Sequence, residues 1–451
     1  MHPFIVRNVI NPLFGGFRSN FKIRKVLKEI ERYQWLSPEL ILEDQWRKVT
    51  NLIAIAYQNV PYYRAMFDKY GIKPKDIQSP SDMKKIPILT KKDIQKNLSK
   101  MINLQYNKKR LYKSTTSGST GIPTTFFRTD ESWIWDTAIT AKTNSWTGCK
   151  VGEKVSYIWG RELEITKTNQ IWQKFKNKLQ NMQFISGLEL SQSILQKKIE
   201  QIANFQPKLI IGYSTYLYIF AVYLIENNIR NIKPVAVIST ANTLLDFQRK
   251  TIEKAFDCRV FNRYGSRELG CIASECECHG LHINAENVFI EFIETREDVC
   301  GEKIFKLICT SLVNYGMPFI RYEIGDLGIA SNEQCKCGRG LPLIQELKGR
   351  SHDVLITPSG KIIVGNFFGI IFREYQDIIF QFQVVQKAID NLLVKVILKP
   401  NADVTKLEEI RVAIQKFVGH DVNIKIKVVK EIKPSKSGKL QLSVSELSFK
   451  L

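Results

Sequence analysis

The chain is short of acid. Its 44 Asp and Glu face 66 Lys and Arg, a net charge of +22 over 451 residues. Such a surplus draws phosphate-bearing partners: a nucleotide, a nucleic acid or an acidic membrane face. Most of the lysines punctuate helical stretches singly, as at Lys22, Lys25, Lys28, Lys91, Lys92 and Lys96. Solvated faces look like this, so nucleic acid is not the expected partner. A segment able to span a bilayer is also missing. "LIIGYSTYLYIFAVYLI", residues 209–225, runs seventeen positions without a charge. A spanning helix needs about 20 apolar residues, and the Gly-Tyr-Ser near the front reads as a turn closing a buried strand. We expect strand at 209–211, buried helix at 216–226, no transmembrane segment and a soluble protein. The N-terminus, "MHPFIVRNVINPLFGGFRSNFKIRK", has charges breaking its apolar run and no small-residue cleavage site, so no signal peptide is expected. A cytoplasmic location follows, with peripheral contact at a membrane surface left open.

What is present suffices for a large core. At 44% hydrophobic and 11% aromatic, the chain can fold into two or three domains. Its nine cysteines are an odd count, and four stand in two Cys-x-Cys pairs. That usage suits a reducing compartment with a metal site better than a disulfide framework. Residues 20–110 are helical in pattern, with Thr90 placed to cap "KKDIQKNL". From about 150 to 330, β-branched runs such as "KVSYIWG", "KLIIGYS" and "VAVIST" alternate with helical ones, the signature of an α/β layer with parallel strands. Residues 286–330 turn to all-β. After the polar "KGRSHD" come a hairpin, a helix, two strands, a helix and a strand. The predicted fold is a large α/β N-terminal domain over 1–350, its sheets packed with helices, and a small, mobile α+β C-terminal domain over 351–451. No internal repeat or low-complexity tract is seen.

The stretch "KSTTSGSTGIPTTF", residues 113–126, is dense in Ser, Thr and Gly. Backbone amides of a Gly-containing turn, together with hydroxyls, form a neutral anion cradle suited to a triphosphate that must bind and then lose pyrophosphate. It is not a Walker loop, lacking the closing Gly-Lys-Ser/Thr, nor a Gly-x-Gly-x-x-Gly fingerprint. On composition alone, such a stretch is more often a solvated linker. "TTSGSTGIPT" closely resembles the phosphate-binding signature of the adenylate-forming superfamily of acyl-CoA synthetases, luciferases and peptide-synthetase adenylation domains. Further motifs follow in that family's order: "NRYGSRE", "IRYEIGDLG", "KGRSHD" and "PSKSGKL". "PFIRYEIGDLG" followed by "CKCGRGLPLIQELKGRSHD" looks like the phenylacetate-CoA ligase branch, especially its CapK-like relatives encoded with capsular polysaccharide genes.

The resemblance implies an acyl-CoA-synthetase-like fold and an acid–thiol ligase. Such an enzyme joins a small-molecule carboxylic acid to ATP as acyl-AMP, with Mg²⁺, and passes the acyl group to CoA or another acceptor, in the CapK-like case for surface polysaccharide. It implies nucleotide contacts from Thr115, Thr116, Ser117, Gly118, Ser119, Thr120 and Gly121 in the loop. Asn262, Tyr264 and Gly265 would contribute from the second motif, with Tyr264 on the adenine and Glu268 holding Mg²⁺. Asp326 would bind the ribose hydroxyls with Arg350 near them, Asp353 would be the hinge of a rotating small domain, and Lys439 would bridge carboxylate and α-phosphate. Joining two anions demands such cations and donors whatever the family. Arg267, also a candidate nucleotide contact, departs from the pattern, standing where the superfamily commonly has Thr or Ser; either its guanidinium makes the phosphate contact in its own way, which is the favoured reading, or adenylation is weakened. It leaves a second class of function in view, a catalytically altered member that binds nucleotide or a surface partner.

"CIASECECHGLH" and "CKCG" offer Cys276, Cys278, His282, Cys335 and Cys337. Thiolates and imidazole in a set of four suit structural Zn²⁺. The preferred set is Cys276, His282, Cys335 and Cys337, with Cys278 as the substitute. Unliganded thiols and a redox switch are the other readings. For the acid, Tyr213, Ser214 and Tyr216 are candidate lining residues as well as candidate core. The Trp-rich run from Trp133 to Trp146 could shape the same cavity or pack the scaffold.

Overall fold

The computed structural model describes residues 1–447 apart from 16, 117–123, 160–169, 188–191, 298–301, 351–354, 361, 364–366, 376 and 435–440. The chain opens on an irregular helical arm: α1 (Pro3–Ile5), a π-helical turn (Val6–Ile10) and α2 (Asn11–Gly15). Four helices follow: α3 (Phe17–Tyr33), α4 (Pro38–Asn59), α5 (Pro61–Lys69) and α6 (Lys91–Asn97). Their starts are written locally. Ser37 accepts from the Leu40 amide ahead of Pro38 in the first position of α4, and Thr90 and Asp93 satisfy each other's amides at the start of α6. Next come the hairpin of β1 (Tyr112–Thr115) and β2 (Thr125–Arg128) and helix α7 (Asp130–Ser145).

Strand and helix then alternate: β3 (Val155–Trp159), α8 (Gln170–Leu179), β4 (Met182–Ser186), α9 (Gln192–Phe205), β5 (Leu209–Tyr213), α10 (Ser214–Glu226), β6 (Ala236–Thr240), α11 (Asp246–Phe256) and β7 (Arg259–Ser266). These strands pair in parallel. β5 is buried along its whole length, as a parallel strand covered on both faces must be. The antiparallel strands are β8 (Gly270–Glu275), β9 (Leu281–Ile283), β10 (Val288–Glu297), β11 (Lys303–Ser311), β12 (Tyr322–Ser331) and β13 (Leu343–Arg350). The α/β layer and the all-β region are not separate layers. They form one eleven-stranded sheet in the order β10-β11-β12-β13-β9-β8-β7-β6-β5-β3-β4. β7 makes the join, pairing in parallel with β6 and, through the hairpin at Ser266 and Gly270, antiparallel with β8.

At residues 209–225 the expected turn is absent. β5 continues through Tyr213 and α10 starts at Ser214. Gly212 is there for packing: a Cβ on it would come within 3.0 Å of the Ile158 carbonyl oxygen. Among the described residues no helix is long and apolar enough to cross a membrane.

The C-terminal part contains β14 (Leu355–Ile356) paired with β15 (Ile362–Ile363), then α12 (Phe367–Arg373), β16 (Ile379–Ala388), β17 (Asn391–Leu398), α13 (Lys406–Val418), β18 (Asn423–Val428) and β19 (Ser443–Ser445). Its four-stranded sheet runs β18-β17-β16-β19. Ile410, Ile414 and Val418, four residues apart on α13, pack on Val384, Val394 and Val396 of the sheet. Ile304 and Leu327 of the large sheet join this core, so the small unit is seated on β11 and β12.

Candidate active site

A cavity of about 510 Å³ opens at the carboxyl ends of β6 and β7, where the parallel half of the sheet gives way to the antiparallel half. Open α/β sheets bind ligands at such switch points. Asn262, Tyr264 and Gly265 of β7, Asp326 of β12 and the loop 241–247 line it, and Gly369 of α12 reaches it from the small domain. The two-residue period of a strand puts Asn262 and Tyr264 on one face. The Tyr264 hydroxyl donates to Asp326 Oδ2 at 2.7 Å. Asp326 stands opposite Arg350 in the β12–β13 ladder; the Arg350 side chain lies outside the described residues.

Glu268 follows in the turn after β7. It is 8% exposed, and its Oε1 accepts from the Tyr322 hydroxyl at 2.9 Å. Burial, and then the adjacent Glu268 charge, push the Tyr322 phenol far above its ordinary range, so Tyr322 remains a donor. Arg267 reaches the other way. Its Nη1 donates to the Thr115 carbonyl at 2.8 Å, tying the second motif to the base of the hydroxyl-rich loop. That base is closed by Thr116, whose amide donates to the Thr124 carbonyl while its Oγ1 accepts from the Thr124 amide, both at 2.9 Å. Thr116 and Thr124 thus extend the β1–β2 pairing by one step. Ser117, Gly118, Ser119, Thr120 and Gly121 lie outside the described residues, as do Asp353 and Lys439.

Several residues here carry no motif signal. Glu275 anchors β7, accepting from the Asn262 amide (2.6 Å) and Arg249 (2.8 Å) on Oε2, with His279 Nδ1 2.6 Å from Oε1. Tyr322 sits inside "IRYEIGDLG" but stands out only once the strand is folded against Glu268. Ala241 adopts a φ of 68°, unusual for a residue with a Cβ, and begins the loop that walls the cleft.

Tyr213, Ser214 and Tyr216 do not line this cavity. All three are buried. Tyr213 stacks on Tyr216 and meets Trp159 edge-on, and Ser214 Oγ donates to the Thr243 carbonyl. Their packing fills the space between α10 and the strand ends. Tyr213 is nevertheless adjacent to the motif residues: burial raises its phenol pKa and the Arg267 charge lowers it. Trp133 is exposed, and Trp146 packs against a different centre.

That centre is the thiol–imidazole cluster. One ligand atom each from Cys276, His282, Cys335 and Cys337 lies within 4.8 Å of all the others. Cys276 and Cys335 Sγ are 3.5 Å apart, and Cys337 Sγ is 3.2 Å from His282 Nε2. Cys278 is exposed and outside the group; its amide donates to Cys276 Sγ. A tetrahedral metal with Zn–S near 2.3 Å has ligand–ligand edges of roughly 3.8 Å, which these separations approach. Burial, above all, pushes the His282 imidazole down to about 4, so it is neutral, and Nδ1 faces the Leu341 carbonyl at 3.2 Å. The tautomer that donates there leaves Nε2 bare. Burial pushes the Cys337 thiol up, but hydrogen bonds from Arg339 bring it below the ordinary value. Gly280 is required at the cluster, since a Cβ on it would meet Cys335 Sγ at 2.6 Å. Trp146 closes the far side, edge-on to His282 at 5.8 Å.

Residues 355–446 match the family model described as the CapK C-terminal domain. The chain is 26% identical to Protein CapK of Staphylococcus aureus over 99% of this chain and 98% of that one. It is 24% identical to a phenylacetate-coenzyme A ligase of Thermus thermophilus over 69% of this chain and 71% of that one. Among solved structures, 2-hydroxyisobutyryl-CoA ligase in its postadenylation state, in complex with R3-HIB-AMP, matches with a TM-score of 0.75 at 16% identity, covering 92% of this chain and 91% of that one. The same ligase in its thioesterification state scores 0.60 at the same coverage. The fold is that of an acyl-CoA ligase, a large α/β domain with a smaller C-terminal one. By its C-terminal residues the chain matches the CapK C-terminal domain, and over most of its length it is similar to Protein CapK and to phenylacetate-coenzyme A ligases.

Proposed function

We propose that the protein activates a carboxylic acid with ATP, releasing pyrophosphate, and transfers the acyl group from the acyl adenylate to the thiol of CoA, for use in surface polysaccharide synthesis. It is an adenylate-forming acid–thiol ligase. The observation that carries this reading is the convergence on one cleft of Asn262, Tyr264 and Asp326, with Glu268 and the Arg267–Thr115 bridge beside them.

In the proposed reaction Asp326 accepts from the ribose hydroxyls, and Tyr264, held by Asp326, backs the adenine. The β1–β2 loop offers amides and hydroxyls to the phosphates. Glu268, fixed by Tyr322, would hold Mg²⁺, which when bound screens the phosphate charge. The acid's oxygen attacks the α-phosphorus, the bond to pyrophosphate breaks, and Lys439 stabilises the charge gathered between them. The CoA sulfur then attacks the acyl carbon and AMP leaves. Two orientations of the small domain about Asp353 serve the two half-reactions. Arg267 argues for retained catalysis: its guanidinium is used on the Thr115 carbonyl, a scaffold contact, so it does not replace a catalytic group. Cys276, His282, Cys335 and Cys337 would hold a structural Zn²⁺, a charge that favours thiolates.

The test is pyrophosphate exchange into ATP against pooled aromatic, short aliphatic, fatty, amino and sugar acids, with and without Mg²⁺. Exchange stimulated by one pool and dependent on Mg²⁺ is expected. Silence in every pool, with ATP still bound, would favour the catalytically altered reading.

A further inference from the structure

The N-terminal arm and α8 present a surface that the ligase reaction does not use. Residues 1–28 contain Arg7, Arg18, Lys22, Arg24, Lys25 and Lys28 and no Asp or Glu; α8 contributes Lys174, Lys176 and Lys178, again with no acid. Among these basic residues stand large apolar side chains in the open. Phe21 is 73% exposed, Leu13 60%, Phe4 59%, Trp172 58% and Phe175 50%. Exposed apolar residues scattered singly need no explanation, but a cluster does. Ile5, Val9 and Leu13 recur every fourth residue along the arm, all exposed, and Trp172 and Phe175 share one face of α8.

The two elements are in contact. The Phe14 and Trp172 rings meet edge-on at 6.0 Å, and Trp172 stacks on Phe175 at 5.6 Å. Lys176 Nζ sits 5.6 Å from the Phe14 ring centre. Gln180 donates to Asn11, and the N-terminal ammonium donates to Asn181 just beyond α8. The arm is thus fixed on the body and does not swing free. Cations bracket the exposed rings, as Arg7 does over Phe4 at 6.0 Å.

We propose that this face, made by the arm, the first three turns of α3 and α8 together, docks the protein on an anionic phospholipid bilayer. Aromatic and aliphatic side chains enter the headgroup boundary and the flanking Lys and Arg meet the lipid phosphates. Charge complementarity singles out that occupant. A protein partner's groove would be expected to leave some acid on so large a face, whereas an acidic bilayer repels carboxylates, and the arm, the first three turns of α3 and α8 carry none, the first being Glu29 further along α3. The proposal does not rest on the reading of the cleft.

The full chain is sedimented with vesicles of phosphatidylcholine alone and of phosphatidylcholine with phosphatidylglycerol, at low and at 0.5 M salt. Binding to the anionic vesicles, weakened by salt and absent with phosphatidylcholine, is expected. The Trp172→Ser/Phe175→Ser variant, on exposed positions, should bind about 10-fold more weakly, and Lys22→Glu/Lys25→Glu/Lys28→Glu about 100-fold more weakly. The far-ultraviolet circular dichroism spectrum and thermal midpoint should match the parent, which shows both variants are folded. Failure to bind anionic vesicles at low salt, equal binding to both vesicle types, or variants that bind like the parent would overturn the proposal. So would a self-association of the parent that Trp172→Ser/Phe175→Ser abolishes, because the face would then belong to a second copy of the chain.

Discussion

In the proposed reaction Arg267 serves the scaffold of the candidate site and Lys439 its chemistry. Arg267 bridges to the Thr115 carbonyl at the loop's base. A hydrogen bond with a charged partner contributes about 1.5–3 kcal/mol, and this one faces solvent, which places it at the lower end. Arg267→Ala should therefore raise the ATP KM roughly 10-fold with a smaller effect on kcat, as read by exchange kinetics at varied ATP. Lys439 has the opposite signature. A donor that acts on developing charge contributes about 10²–10³ in rate when removed, so Lys439→Ala should lose that much adenylation while ATP binding, measured by calorimetry, stays near the parent value. An unchanged exchange rate would remove Lys439 from the mechanism. Neither residue's role is readable alone. Lys439 is one of several lysines near the C-terminus, and Arg267 acquires its partner only when the chain brings residue 115 to it.

At the scale of elements, two buried polar assemblies hold the helices and the antiparallel strands together. Lys142 of α7 pairs with Glu286 just before β10, both wholly buried, and Glu286 Oε2 has no partner. Removing one member of such a pair strands a charge and costs about 3–5 kcal/mol, whereas replacing both with apolar groups costs far less. Lys142→Met should lower the thermal midpoint by several degrees, and Lys142→Met/Glu286→Leu should recover most of it. The cysteine–histidine cluster ties the β8–β9 turn to the loop before β13. Its ligands must shed protons to bind metal, so binding energy becomes folding energy. Cys335→Ser should leave well under one equivalent of zinc by elemental analysis and lower the melting temperature, with pyrophosphate exchange retained at low temperature. A parent protein purified without chelation that already lacks zinc would remove the cluster from the list of metal sites.

Across the whole molecule, the small domain rests on β11 and β12 through Ile304 and Leu327 and sends Gly369 to the cleft. The proposed alternation needs that contact to break and reform about Asp353. Proline fixes φ near −65° and removes an amide donor. Asp353→Pro should therefore keep one half-reaction and lose the other: exchange within several-fold of the parent, but thioester formation down by more than about 10-fold. Comparable losses in both assays would mean that the hinge serves stability instead of alternation.

The sequence by itself determined what depends on near neighbours and on motif order. The cap at Thr90 and the strand–helix succession from β14 to β18 rest on local periodicity, and the structure has them in those positions; short spacing left five candidate ligands open, and the grouping of Cys276, His282, Cys335 and Cys337 without Cys278 belongs to the tertiary structure. The tertiary structure decided what depends on distant partners. β7 joins the parallel and antiparallel halves into one sheet, Tyr322 holds Glu268 across 54 positions, and Arg267 holds Thr115 across 152. Trp146 serves the cysteine cluster, and Tyr213 and Tyr216 fill the core, because burial is allotted by which faces meet. A strand's pattern states that it needs a partner and which face is apolar, but the partner is chosen by competition among all the faces the chain can bring together.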